Sequence, residues 1–291
     1  MRNLLISVFL LLSITTEGFS VTETERDGLM AIYNNTDGSN WGTNTDWNTT
    51  SDPCSWFGVS CDDDNNIVGL GLTENNLTGS IPTEIENLTH LIKLDLSHNN
   101  LIGDIPTEVG VLSELEILYL SANNLTGTIP TEIGRLSLLK ELDLEWNKLE
   151  GTIPKELGDL ENLNKLSLWI NQLSGVIPLE ISNLEKLTYL DFGENNLTGT
   201  IPQNLENLTQ LKSFYLDLNH LRGIIPNGIT TLTSLEDESG LYLDNNDCLN
   251  SYNSDVRDFI VLKSNVDSFK EFLETQEACI NMVPIITYIL N

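Results

Sequence analysis

Between residues 67 and 250 the apolar positions recur on a fixed beat. In the segment 91–114, LIKLDLSHNNLIGDIPTEVGVLSE, leucines alternate with polar residues at Leu94 and Leu96, then the pattern breaks at Asn99, Gly103 and Pro106. Alternation with a period of two predicts a short strand with Leu94 and Leu96 inward and Lys93, Asp95 and Ser97 toward water. Asn99 can satisfy backbone groups in the turn that follows, Gly103 permits a bend at positive φ, and Pro106 blocks helix and sheet pairing there. The segment 107–114 then returns the chain with Val109 and Leu112 pointing inward.

The beat is 24 residues. Asparagine falls at Asn75, Asn99, Asn123, Asn147, Asn171, Asn195 and Asn219. Seven of the nine prolines, from Pro82 to Pro226, keep the same register. Seven units run 67–90, 91–114, 115–138, 139–162, 163–186, 187–210 and 211–234. An eighth starts at Leu235 with a three-residue insertion and regains register at Asn246. One coil of this length cannot bury its own leucines, whereas stacked coils can, so the pattern predicts a solenoid with a cap at each end. Its strands, at about 4.8 Å spacing, make a ribbon roughly 35 Å long.

The unit L-x-x-L-x-L-x-x-N-x-L-x-G-x-I-P resembles the plant-type extracellular leucine-rich repeat of receptor-like kinases, receptor-like proteins and polygalacturonase inhibitors. The resemblance covers residues 22–250. It implies an α/β repeat solenoid: a horseshoe with a concave parallel β-sheet, seven to eight 24-residue repeats and disulfide-bonded caps. The segment DPCSWFGVSC (52–61) is similar to the family's amino-terminal cap, which implies that Cys54 and Cys61 pair and that Trp41, Trp47 and Trp56 plug the core end.

The flanks divide the chain. Residues 1–20 carry Arg2, an apolar run over 4–14 and small residues near Gly18 and Ser20, the layout of a secretory signal peptide. The apolar run is short for a retained membrane span. Residues 21–66 form the amino-terminal cap, with Thr22 and Glu25 at capping-box spacing and Leu29, Ile32 and Tyr33 on one helical face. Residues 67–250 are the repeats. Residues 251–291 are a carboxy-terminal cap, with Val256, Phe259, Ile260, Phe269, Phe272 and Leu273 on one or two short amphipathic helices, then an apolar tail. The expected location is therefore secreted, extracellular or in the cell wall, with no stable membrane insertion.

Four cysteines, Cys54, Cys61, Cys248 and Cys279, allow three connectivities; an oxidising compartment and the long cysteine-free middle favour local pairing. Seven Asn-x-Ser/Thr sequons mark candidate glycosylation sites: Asn34, Asn48, Asn76, Asn87, Asn124, Asn196 and Asn207. The net charge of −29 survives removal of residues 1–20, which takes away one base and one acid. Such a surface repels nucleic acid and anionic lipid, and favours cationic partners and loosely held divalent cations.

Catalytic patterns are missing from the sequence. There is no H-E-x-x-H, G-x-S-x-G, Walker loop or C-x-x-C, the three histidines are scattered, and no cofactor is implied. The acidic run 62–66 reads as a solvated loop rather than a calcium loop. A non-enzyme is expected, and the kinase domain of many relatives does not occur in these 291 residues.

A surface remains. Positions two, four, six and seven after each unit's first apolar residue should face outward on the concave side. They include Tyr119, Asp143, Glu145, Trp146, Trp169, Tyr189, Asp191, Tyr215, Asp217 and Tyr242. Large aromatics at positions expected to be wet mark a contact surface, and carboxylates among them can bond hydroxyls or pair with cations. The reading is a recognition module in extracellular signalling or defence. Its partner is an extracellular protein, peptide or glycan, with a membrane receptor kinase supplying any cytoplasmic part. The alternative is an inhibitor of a secreted cell-wall hydrolase, for which the acidic face selects a basic enzyme. Ice binding would need a flat repeated Thr or Asn array, and Ile102, Glu150 and Ser174 interrupt it.

Overall fold

Alternating leucines become strands because neighbouring coils bury them. In a computed structural model, which describes residues 21–264 apart from 238, 251 and 252, Leu94, Leu96, Val109 and Leu112 are fully buried. Each is equivalent to about 1.5–3 kcal/mol of apolar burial. Residues 1–20, expected to be a signal peptide, and Cys279, Phe269, Phe272, Leu273 and the expected apolar tail lie outside the described residues.

The concave wall is a nine-stranded sheet among the described residues. Its strands are β1 (Val59–Cys61), β2 (Ile67–Gly71), β3 (Lys93–Asp95), β4 (Ile117–Tyr119), β5 (Glu141–Asp143), β6 (Lys165–Ser167), β7 (Tyr189–Asp191), β8 (Ser213–Tyr215) and β9 (Leu241–Tyr242). β1 runs antiparallel to β2, and every later pair is parallel and in register. The register steps by 24 residues until β9, where Phe214 pairs with Leu241 across the insertion.

The asparagines form the expected ladder. Asn147 donates to the carbonyls of Leu120 (3.0 Å), Leu144 (3.1 Å) and Glu145 (3.2 Å), and accepts from the Leu125 N–H (3.0 Å). Asn246 repeats this one coil after the insertion. The residue before each ladder asparagine takes a left-handed turn, with φ between 48° and 54° at His98, Ala122, Trp146, Ile170, Glu194 and Leu218. A β-branched Ile170 in that region costs about 1–2 kcal/mol, so the ladder overrides local preference.

Two features differ from expectation. The stretches around most of the repeat glycines form a second set of parallel strands, such as Asn100–Asp104 against Asn124–Thr126 and Ser174–Val176 against Asn196–Gly199, interrupted near Gly151, where only isolated bridges form. Pro106 does not exclude all helix: it caps a 3-10 helix, Thr107–Val111, where a missing N–H costs nothing.

In the amino-terminal cap, helix α1 (Glu23–Asn35) starts with the Thr22–Glu25 capping box. Glu25 also accepts the Ile67 N–H at 3.1 Å, tying the cap to the first coil. Trp41, Trp47 and Trp56 pack edge-to-face or tilted over the core end, with centroids 4.9 Å apart in each consecutive pair, and each indole N–H finds an oxygen. Cys54 and Cys61 are disulfide-bonded. Closing so short a loop predicts that replacing both by serine lowers stability by about 2–3 kcal/mol, read as a shift in the urea unfolding curve; an unshifted curve would show that the tryptophans hold the cap alone. Asp62 is a turn residue: its carboxylate accepts the N–H groups of Asp64 and Asn66, and the bonds to Asn66 and Asp64 draw its pKa below the usual carboxylate value.

At the other end helix α2 (Ser254–Lys263) buries Val256 and Ile260, and half-buried Phe259 packs against the same core. Its Lys263 ammonium donates to the Leu235 carbonyl (2.7 Å) and to Asp237 (2.6 Å). Cys248 lies in the strand Cys248–Asn250, which pairs with His220–Ile224.

Candidate concave-face binding site

Parallel register puts equivalent positions side by side. The column four residues into each unit reads Asp95, Tyr119, Asp143, Ser167, Asp191, Tyr215, Tyr242. The wall divides into two halves by charge.

In the amino-terminal half, bases answer the acids. The Lys165 ammonium lies 2.7 Å from Asp143 and within 5.5 Å and 5.8 Å of the Tyr119 and Tyr189 ring centres. Lys93 lies 3.4 Å from Asp95 and 5.6 Å from the Tyr119 ring. The Tyr119 hydroxyl donates to Glu141, and burial together with that carboxylate raises the phenol's pKa. Tyr119 and Asp143 thus belong to a self-satisfied network.

In the carboxy-terminal half, Glu145, Trp169, Tyr189, Asp191, Tyr215, Asp217 and Tyr242 line one open cavity of about 380 Å³. The tyrosine rings stack edge-on: Tyr189 to Tyr215 at 5.7 Å and Tyr215 to Tyr242 at 4.9 Å between centres. Hydroxyl bonds hold two of them, Tyr189 to Asp191 (3.0 Å) and Tyr215 to the Ser239 carbonyl (3.0 Å). Burial raises the pKa of both phenols. Asp191 was expected in water. It is only 5% exposed, because Tyr189 and neighbouring coils cover it, and Asp143 is likewise buried. Burial pushes the Asp191 carboxyl up to about 7, aided by Asp217 and Glu145 and opposed by bonds from the Gly193 N–H and the Tyr189 hydroxyl.

Trp146 stands apart. The left-handed backbone at that residue breaks the strand alternation, and its ring, 58% exposed, borders a separate depression with His98, Ala122 and Asn124. Sequence reading also missed Gly193, whose N–H donates to Asp191 at 2.9 Å and which Asp217, Asp191 and Trp169 approach too closely for a side chain to fit without a shift; a lone glycine in a column of side chains was the available signal. A larger groove of about 1030 Å³ runs along the outside, lined by Ile153, Pro154, Val176, Ile177, Pro178 and Leu179. Its walls include the Ile-Pro positions that recur from coil to coil, together with threonines and polar residues that follow the prolines.

Family models match three stretches: the leucine-rich repeat N-terminal domain over residues 22–62, a leucine-rich repeat region over 69–176 and the leucine-rich repeat over 161–221. This chain belongs to the plant-type leucine-rich repeat proteins. The leucine-rich repeat receptor-like protein kinase PEPR1 of Arabidopsis thaliana is 33% identical over 104 residues, 31% of this chain and 9% of that protein. Among solved structures, the ectodomain of the Arabidopsis receptor kinase GASSHO1/SCHENGEN3, in complex with Casparian strip integrity factor 2, is 36% identical. It has a TM-score of 0.74 and aligns with 82% of this leucine-rich repeat chain and 28% of its own. The Arabidopsis receptor kinase HAESA, in complex with the peptide hormone IDA and the co-receptor SERK1, is 31% identical, with a TM-score of 0.65 over 83% of this chain and 45% of its own. Alignments with the first three curated receptor kinases it matches span only 8%, 9% and 6% of their lengths. Among the described residues no helix of this leucine-rich repeat chain is long and apolar enough to cross a membrane.

Proposed function

We propose that this chain is an extracellular recognition module whose concave wall, over its fifth to eighth coils, binds a peptide, protein or glycan in signalling or defence. The observation that carries this reading is the open cavity where Trp169, Tyr189, Tyr215 and Tyr242 stand among Glu145, Asp191 and Asp217. A folded chain gains little by leaving rings half-open beside carboxylates, whereas a ligand that covers them recovers both the apolar area and the charge.

Two further observations support it. All seven sequons, Asn34, Asn48, Asn76, Asn87, Asn124, Asn196 and Asn207, are exposed or half-exposed and lie off the concave strands, so glycans there would leave the wall open. HAESA and RGFR1, both similar in fold, were solved in complex with a peptide hormone and with RGF2 respectively, and HAESA with a co-receptor as well. By that likeness a membrane receptor kinase is the expected signalling partner.

The test is capture from native extracellular fluid on immobilised protein, followed by mass spectrometry. Trp169→Ala is expected to cut capture by about tenfold or more, as for a central aromatic anchor, with the thermal unfolding midpoint nearly unchanged. Trp146→Ala is expected to matter less, since that ring lies outside the cavity. Equal capture by wild type and Trp169→Ala removes the site.

A further inference from the structure

We propose that Asn124 carries an N-linked glycan whose first sugar lies on the face of Trp146. This goes beyond the concave site and rests on the extracellular part of the reading above, because the modification belongs to the secretory route.

The first ground is register. Asn124 stands between two residues bonded to the next coil. The Asn123 N–H donates to the Trp146 carbonyl (3.2 Å), and the Leu125 N–H donates to the Asn147 side-chain oxygen (3.0 Å). Asn124 and Trp146 are therefore neighbours across one coil boundary. Both line the open depression of about 360 Å³ that His98 and Ala122 also border.

The second ground is that both side chains are unengaged. The Trp146 ring is 58% exposed, and among the described residues it makes no hydrogen bond, ring contact or cation contact. Apolar area left in water is recovered by whatever covers it. The Asn124 side-chain amide likewise bonds nothing among the described residues. The equivalent amide of Asn76 donates to the Asn40 carbonyl (3.1 Å) and accepts from Asn100 (3.4 Å). A sugar on Asn124 thus displaces no hydrogen bond of the fold. Thr126, the third residue of the sequon, is exposed.

The third ground is a coincidence of columns. The left-handed residue before each ladder asparagine is His98, Ala122, Trp146, Ile170, Glu194 or Leu218. Only Trp146 and Leu218 among these are large, apolar and exposed. Each lies beside a sequon asparagine of the preceding coil, Trp146 beside Asn124 and Leu218 beside Asn196. Ala122, Ile170 and Glu194 lie beside Asn100, Lys148 and Gln172, none of which begins a sequon. His98 follows the third sequon of the column, Asn76, whose amide is already bonded.

A pyranose ring suits this place. It turns C–H bonds toward an indole face and keeps its hydroxyls in water. The tether holds it at high effective concentration, so a contact too weak for a free sugar persists. The linkage forms between Asn124 Nδ2 and the anomeric carbon of N-acetylglucosamine. The bond from that carbon to the oxygen of a lipid diphosphate donor breaks, the diphosphate keeps the electron pair, and the amide loses one proton.

The test uses the full chain with its own residues 1–20, expressed in a eukaryotic host that makes high-mannose glycans. Wild type, Asn124→Gln and Thr126→Ala are compared. Peptide mass spectrometry reads glycan occupancy at Asn124 and hydroxyl-radical oxidation at Trp146. Asn124 is expected to be occupied. Trp146 oxidation is expected to be lower than in either variant by about half, since a stacked sugar covers one of the two indole faces. Trimming with endoglycosidase H to a single N-acetylglucosamine is expected to preserve most of that protection. Trp146→Ala is expected to lower the unfolding midpoint of the occupied chain more than that of Asn124→Gln. Should Asn124→Gln fold poorly, Thr126→Ala decides, since it keeps the asparagine. Equal oxidation with and without the glycan leaves Trp146 open to a partner protein and overturns the proposal. An unoccupied Asn124 in a chain glycosylated at other sequons also overturns it and keeps the extracellular reading. A chain that stays inside the host with no glycan at any sequon removes both.

Discussion

Asn147→Ala is expected to destabilise the chain by about 3–5 kcal/mol, a large effect for a single polar substitution. The amide of Asn147 bonds both its own coil and the one before, through Leu144, Glu145 and Leu120, while its oxygen holds the Leu125 N–H. The Leu120 carbonyl is shared with Asn123 and the Leu144 carbonyl with Asn171, so each keeps one partner after truncation. The Leu125 N–H is left with none. A buried unmet donor costs about 1–3 kcal/mol and each lost bond adds about 1. Urea unfolding followed by circular dichroism measures the change. Because coils couple to their neighbours, the loss is expected to lower the shared transition rather than to split it. A cost below about 1 kcal/mol would mean that water enters and replaces the amide, and that the ladder is not a main source of cohesion.

Stability is expected to fall as pH rises from about 4 to 7, by up to about 4 kcal/mol from Asp191 alone. Its carboxyl titrates near 7 in the folded protein, chiefly because it is buried, against a usual value of about 3.9 in the unfolded chain. Between those values the folded state keeps a proton that the unfolded state has released. The contribution is therefore fully present below the unfolded pKa, is lost as pH climbs through the folded one, and is flat above that. About three pKa units at 1.36 kcal/mol each set the magnitude. Asp191→Asn removes the titration while its amide can still accept from the Gly193 N–H and face the Tyr189 hydroxyl. The variant is expected to gain on wild type as pH rises from 5 to 8 in urea unfolding, a window above the titrations of Asp62 and Asp247, whose hydrogen-bonded carboxylates are shifted downward. Parallel stability profiles for the two proteins would falsify the assignment.

What could be read directly was whatever repeats. The 24-residue spacing of Asn75 to Asn219 determined the coil, the ladder and the inward leucines, because a stack imposes the same demand on every turn. The tryptophan plug and the Thr22–Glu25 start were legible for a related reason: an open core end requires a cap. The second set of strands escaped notice, since pairing through Asn100–Asp104 depends on the neighbouring coil and leaves no alternation of its own. The outward list gave the right residues without their grouping. Period two cannot foresee that the left-handed turn at Trp146 carries that ring out of the cavity, that Lys165 closes over Asp143, or that Tyr189 covers Asp191. Those outcomes come from contacts between coils 24 residues apart, where side chains compete for the same space and charge. The sequence by itself determined the scaffold and the face that is turned outward; only the tertiary structure decided which part of that face closes over its own ion pairs and which part, between Trp169 and Tyr242, forms an open cavity.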